Sequence, residues 1–147
     1  MNPRSRIAVL TFATALSGCG MLRSEFVRVC ETALKGRLPF PSTYVLKSVE
    51  EDRRALGLDE FHTVYQTFYG RPYHLSKGRM KANGDRPTLR TATIEYVAAG
   101  RTRRRRFGTA NCVHLSPRPD GKDLRPNTVL VDGETNTQHY VRTKPRD

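Results

Sequence analysis

The residues best suited to bind a ligand form an arginine run. Five of the six positions from 101 to 106 are arginine, namely Arg101, Arg103, Arg104, Arg105 and Arg106. Guanidinium groups make two-pronged hydrogen bonds to phosphate and carboxylate groups, and several held close together repel one another until an anion neutralises them. The run therefore predicts an anion-binding surface. The alternative is a solvated turn whose charge keeps an edge strand from aggregating.

The remaining polar residues form no recognisable catalytic or metal-binding pattern. No two of the four histidines have the spacing of metal ligands on a predicted helix, and none adjoins a carboxylate pattern typical of a metal site. No serine lies in the context of a nucleophilic elbow, and the glycines follow no phosphate-binding pattern. The sequence thus predicts no catalytic residue, no metal ion and no cofactor.

Aromatic side chains are concentrated between residues 61 and 74. Apolar residues recur there at helical spacing, at Phe61, Val64, Tyr65 and Phe68, which is typical of a buried helix face. The alternative is that the segment contributes to the site of a small enzyme or an enzyme inhibitor. That site would be formed by Tyr65, Phe68, Tyr69, Tyr73 and His74, and we would then expect a deep pocket with convergent polar groups.

The first nineteen residues have the organisation of an export signal. Two arginines precede an uncharged, mostly apolar run of ten residues, 7–16. A membrane-spanning helix needs about 20 such residues, so this run suits a signal peptide better than an anchor. The segment that follows, Leu16-Ser17-Gly18-Cys19, resembles the lipobox of bacterial lipoproteins.

The lipobox resemblance implies that a diacylglycerol is attached to Cys19, that the chain is cut before it, and that the new amino group is acylated. Residues 1–18 are then a removed lipoprotein signal peptide. The protein would be anchored in the cell envelope, because several acyl chains hold a protein at a membrane far better than one. In well-studied envelopes, Gly20 rather than Asp after the cysteine favours the outer membrane, facing the periplasm. The alternative is an ordinary secretory signal with an unmodified Cys19.

Two cysteines remain once Cys19 is assigned to lipid, Cys30 and Cys112, and they allow one pairing. Export places them in an oxidising compartment, where a disulfide is the default. The alternative is a redox-active or metal-binding pair, which the absence of a Cys-x-x-Cys motif disfavours.

The chain is strongly basic, with 26 Lys and Arg against 14 Asp and Glu and a net charge of +12. Residues 1–18 hold two arginines and no acid, so their removal lowers the net charge to +10. Such a surface favours anionic neighbours, and the partners we expect are the membrane, an anionic envelope polymer or an acidic protein. A secreted nucleic-acid binder is the rival interpretation, and it requires that Cys19 not be lipidated.

The elements that would position these residues make one α+β domain over residues 24–143, with 19–23 as a lipid-anchored start and 144–147 as a tail. We expect an N-terminal amphipathic helix packed on a small antiparallel sheet of three to four strands, and a short C-terminal helix that buries Tyr140 and Val141. Helices are predicted over 22–35, over 60–69 with Asp59 as N-cap, and within 134–143. Strands are predicted over 42–49, 89–99, 103–115 and 127–132, with a helical turn over 50–56 and an exposed loop over 70–87.

A second resemblance covers most of residues 26–133. A cysteine in an amphipathic helix, the strand start Pro41-Ser42-Thr43, and a hairpin ending in a second cysteine resemble a loose group of small exported bacterial domains, most of unknown function. The resemblance supports the helix-plus-sheet fold and a Cys30–Cys112 bridge, and it identifies no active site. The sequence is thus typical of a non-enzymatic binding or structural module of the envelope.

Lipidation predicts that cells fed a radioactive fatty acid incorporate label into the wild-type protein and not into a Cys19→Ser variant, because the lipid is attached to that sulfur. The measurement is autoradiography of the immunoprecipitated protein. Equal label in both proteins, or none in either, would contradict the lipobox assignment.

Overall fold

The computed structural model describes residues 23–118, 120 and 122–144. The signal peptide, the lipobox with Cys19, the first residue of the predicted helix 22–35 and most of the predicted tail lie outside the described residues. Within them, the chain forms an α+β arrangement: α1 Glu25–Lys35, β1 Val45–Ala55, α2 Leu58–Tyr69, α3 Lys77–Ala82, β2 Thr88–Ala99, β3 Arg105–Ser116, β4 Leu130–Val131 and α4 Asn136–Thr143.

The four strands form one antiparallel sheet in the order β1-β2-β3-β4, which confirms the predicted α+β fold and its small antiparallel sheet. Strands β2 and β3 make a long hairpin, in which Thr88 pairs with Ser116 at the open end and Ala99 with Arg105 at the turn. β1 runs along the other side of β2. β4 adds only two residues to the edge of β3, beside Cys112 and Val113.

Helix α1 covers one face of the sheet. It begins at Ser24, whose Oγ accepts a hydrogen bond from the Val27 amide at 3.1 Å, as expected of an N-cap serine. Its apolar side packs against alternate residues of the β2–β3 hairpin, which all point to this face: Phe26, Val27, Cys30, Ala33 and Leu34 of α1 meet Ala92, Ile94, Ala110 and Cys112. Large side chains fully buried here, such as Phe26 and Ile94, each contribute about 1.5–3 kcal/mol.

A second apolar cluster lies at the open end of the hairpin, where α2 and α3 pack beside the sheet. Its buried members are Leu56, Phe61, Met80, Leu89 and Leu115. Helix α2 confirms the predicted helix and ends as expected at Gly70, which adopts a left-handed conformation with φ of 66°. The predicted N-cap was wrong: Gly57 precedes the helix, and Asp59 lies inside its first turn.

Several boundaries differ from the sequence-based expectations. Residues 41–43, at the start of the strand predicted over 42–49, form a 3-10 turn, and β1 begins at Val45. β1 continues to Ala55, so the helical turn predicted over residues 50–56 was wrong, because that stretch is the exposed edge of the sheet, where charged side chains are tolerated. The loop predicted over 70–87 contains α3, which starts at the N-cap Ser76 and buries Met80. The strand predicted over 127–132 is reduced to β4.

The short C-terminal helix is confirmed as α4, but its packing differs from the prediction. Tyr140 and Val141 are 63% and 70% exposed, so their predicted burial was wrong. Polar contacts attach the helix instead. Asn136 donates from Nδ2 to the Ala33 carbonyl at 3.1 Å, and the Arg37 guanidinium donates to Asn136 Oδ1 at 2.8 Å.

One covalent bond joins α1 to β3. The sulfurs of Cys30 and Cys112 are 2.00 Å apart, and both residues are buried in the α1 core. The bond spans 82 residues of chain. A crosslink across a loop of this length removes much of the conformational entropy of the unfolded chain.

Reduction of the disulfide should lower the free energy of unfolding by about 4–5 kcal/mol, the upper figure for a loop of this size. Denaturant titration with and without a reductant measures the loss. A Cys30→Ala, Cys112→Ala double variant should have the same free energy of unfolding as the reduced protein, and the reductant should not change it. A loss below about 1 kcal/mol would mean that the bond contributes little to the folded state.

Candidate functional site

The arginine run forms the tip of the β2–β3 hairpin. The turn is closed by two backbone hydrogen bonds, from the Gly100 amide to the Arg104 carbonyl at 3.0 Å and from the Arg103 amide to the Gly100 carbonyl at 2.8 Å. Arg103 takes a left-handed backbone with φ of 59°, and its guanidinium lies 5.7 Å from the Phe40 ring centre. Arg105 and Arg106 open β3, and their side chains leave opposite faces of the sheet. We call these five arginines the basic tip.

The basic tip is exposed and concentrates positive charge. All five arginines are exposed, and among the described residues no carboxylate lies within 4.0 Å of any of their guanidinium nitrogens. Phe107 follows directly and is 84% exposed. It lies in one cross-strand row with Val97 and Val45, the latter 41% exposed. The tip therefore offers concentrated positive charge beside a small apolar strip.

A cleft of about 610 Å³ lies near the opposite end of the hairpin. Its walls come from α2 and the loop that follows it, from the end of β3, from the segment between β3 and α4, and from the first turn of α4. The lining residues include aromatic, apolar and polar side chains: Tyr65, Tyr69, Arg71, Tyr73, His114, Leu115, Pro117, Asp123, Asn127, Thr128, Thr135, Thr137 and Gln138. The aromatic segment thus borders a cleft that also holds polar side chains.

His114 is the most unusual residue of the cleft. It is 1% exposed, and neither ring nitrogen has a hydrogen-bond partner within the described chain. Its Nε2 lies 3.5 Å from Oδ2 of Asp123, close enough for electrostatic attraction but not aligned as a hydrogen bond. Asp123 is held in place through its other oxygen, Oδ1, which accepts from Ser116 Oγ at 2.8 Å.

Three tyrosines form the aromatic wall of the cleft. Tyr65 stacks on Tyr69 with ring centres 4.5 Å apart and meets Tyr73 edge-on at 4.9 Å. The Tyr69 hydroxyl donates to the Thr128 carbonyl at 3.2 Å. Burial, with smaller contributions from Tyr65 and Asp123, raises the pKa of Tyr69 to about 12, so this hydroxyl stays protonated.

The structure brings together some of the residues singled out in the sequence. Tyr65, Tyr69 and Tyr73 line the cleft, whereas Phe68 packs against the second apolar cluster and His74 lies just outside. Cys19 lies beyond the described residues.

Sequence reasoning missed the polar half of the cleft. His114 lies two residues after Cys112 on β3, and this alternation was a signal that its side chain points to the same face as Cys112. Asp123 and Asn127 lie in an irregular segment without any periodic pattern.

Comparison of the chain with protein-family models, curated proteins and solved structures finds no match. Among the described residues, no three His, Cys, Asp or Glu side chains converge as metal ligands. No helix in the described parts of the chain is long and apolar enough to cross a membrane.

Burial should hold the pKa of His114 below its usual value near 6.5, with nearby Arg90 acting in the same direction and Asp123 opposing them. The folded protein then resists protonation more than the unfolded chain does. The neutral His114 ring therefore makes its full contribution to the free energy of unfolding above the pKa that His114 has in the unfolded chain. That contribution should be lost as the pH falls from there toward the pKa of His114 in the folded protein. Titration of the His114 ring signals by NMR, assigned with a His114→Gln variant, measures this. A pKa at or above the usual value would contradict the burial argument.

Proposed function

We propose that this protein is a lipoprotein of the cell envelope, anchored by acyl chains on Cys19 to the periplasmic side of the outer membrane, and that it acts as a non-enzymatic binding module. The basic tip is the surface that contacts an anionic envelope component or an acidic protein. The observation that carries the proposal is the grouping of five exposed arginines with no acidic partner in the described chain. Binding of an anion stabilises such a cluster, because the anion neutralises the repulsion among the guanidinium groups.

The direction of α1 separates the basic tip from the anchored end. Phe26, in the first turn of α1, lies 6.4 Å ring to ring from His114, which pairs with Arg90. Leu38, just after α1, lines a shallow depression with Arg106, which pairs with Ala98. Eight residues of strand separate these two cross-strand pairs, a distance of about 26 Å at 3.3 Å per residue.

This separation favours a partner other than the anchoring bilayer. The four peptide units from Cys19 to Arg23 span at most about 14 Å, so the α1 start stays near the membrane. The tip reaches the same bilayer only if the sheet lies flat. The face of the sheet opposite α1 carries the exposed side chains of Glu50, Asp52 and Glu95, which anionic lipids repel. An anionic polymer or an acidic protein that approaches from the side away from the bilayer meets no such repulsion.

Replacement of all five tip arginines by Ser should weaken binding to anionic probes at low salt by about tenfold or more, since each lost ion pair is worth about 0.2–1 kcal/mol. Binding of the Cys19→Ser mature protein to polyglutamate, lipopolysaccharide and phosphatidylglycerol vesicles is measured across a salt series. We expect the polymers to bind more tightly than the vesicles.

The matched control removes five exposed basic residues elsewhere, by changing Arg28, Arg53, Arg79, Lys81 and Arg86 to Ser, so that the net charge falls equally. This control should retain most of the binding. Equal losses in the two variants would assign the binding to overall charge and would contradict a dedicated tip.

A second candidate function is a small envelope enzyme or enzyme inhibitor with its site near the 61–74 aromatic segment. The cleft lined by Tyr65, Tyr69 and Tyr73 is the observation that favours a ligand site there. Catalysis has less support than binding, because the single Ser116 hydroxyl proton is directed toward the Asp123 carboxylate and the Arg118 carbonyl, and no described hydroxyl is bonded to His114.

A further inference from the structure

We propose that the cleft between α2 and the end of β3 is a binding site for the neutral sugar units of a glycan. The inference rests on the second candidate's premise that this cleft takes a ligand. It is independent of the basic tip and of the lipid on Cys19.

The size of the cleft suits a small ligand. Its volume of about 610 Å³ lies inside the range of roughly 300–1,000 Å³ typical of small-molecule sites. A second concavity of about 370 Å³ shares Tyr73, Pro117 and Asp123 as common walls. Two adjoining spaces with one shared wall suit a ligand of more than one ring.

The lining suits a molecule that is apolar on its ring faces and hydroxylated at its edges. Tyr65, Tyr73, Leu115 and Pro117 offer apolar surface, which sugar rings match with their C–H faces. The same lining includes hydrogen-bond donors, such as Arg71, and hydrogen-bond acceptors, such as Asp123. A hydroxyl group donates one hydrogen bond and accepts others, so a sugar can pair with the donors and the acceptors of the lining at once.

The charges of the cleft favour a neutral ligand. Arg71 is exposed, with no carboxylate within 4.0 Å in the described chain, and supplies donors on one side. Asp123, whose side chain is 40% exposed, supplies acceptor oxygens on another. An anionic ligand meets the Asp123 carboxylate and a cationic one meets Arg71, whereas hydroxyl groups satisfy both.

The unpartnered His114 ring is the second sign of a ligand. A buried polar group without a hydrogen bond costs about 1–3 kcal/mol, and native structures seldom leave such a group without a reason. His114 lines the cleft beside Asp123, and neither ring nitrogen has a hydrogen-bond partner among the described residues. A sugar hydroxyl that reaches Asp123 can also pair with this ring, directly or through one water.

The experiment titrates the Cys19→Ser mature protein with three probes: chitotetraose and maltotetraose, which are neutral, and tetragalacturonate, which is anionic. NMR follows the signals of His114 and of the cleft tyrosines. We expect at least one neutral probe to bind below about 10 mM and to shift these signals. Asp123→Asn and Arg71→Ala should each weaken that binding about tenfold, the loss expected for a hydrogen bond to a charged group.

Two controls keep the outcomes separate. The exposed Arg71→Ala variant tests the site even if Asp123→Asn does not fold. The five-arginine Ser variant of the basic tip should bind the neutral probe as the wild type does, so loss of the proposed tip function leaves this result intact. No neutral binding at about 10 mM, binding of the anionic probe alone, or binding that survives both cleft substitutions would overturn the proposal.

Discussion

The disulfide between α1 and the central hairpin fixes which end of the sheet each part of the chain can reach. Cys30 is near the middle of α1, and Cys112 lies in β3 beside β4, so the helix cannot slide along the sheet or leave it without breaking a covalent bond. α1 therefore starts near His114 and ends near the basic tip. The order of α1 start, cleft and basic tip along the sheet follows from this attachment.

Both candidate sites depend on the same two strands. β2 and β3 carry the arginines at their turn and His114 near their open end. The two sites therefore lie at opposite ends of one β-hairpin. The basic tip is open, positively charged and bordered by Phe107, whereas the cleft is partly enclosed and holds charges of both signs. Because these environments differ in charge and enclosure, we propose that they bind different ligands, an anion at the tip and a hydroxylated molecule in the cleft.

The sequence predicted the central hairpin well because β2 and β3 alternate between the α1 core and the other face of the sheet. It underestimated β1, because Glu50 to Arg54 belong to an exposed edge strand, where burial imposes no alternation. It missed α3, whose six residues bury only Met80. The polar residues of the cleft could not be predicted for a different reason. Asp123 lies near His114 only because an irregular segment folds back onto the sheet, and no local sequence pattern indicates that contact.

We propose that this folded, disulfide-bonded domain lies at the surface of a membrane outside the cytoplasm. The most direct test is mass spectrometry of unreduced peptides from the protein isolated from its native envelope. We expect an amino-terminal peptide that begins at Cys19 with attached acyl chains, and a crosslinked pair that contains Cys30 and Cys112. An intact Met1 terminus with unmodified Cys19 and two free thiols would contradict this proposal.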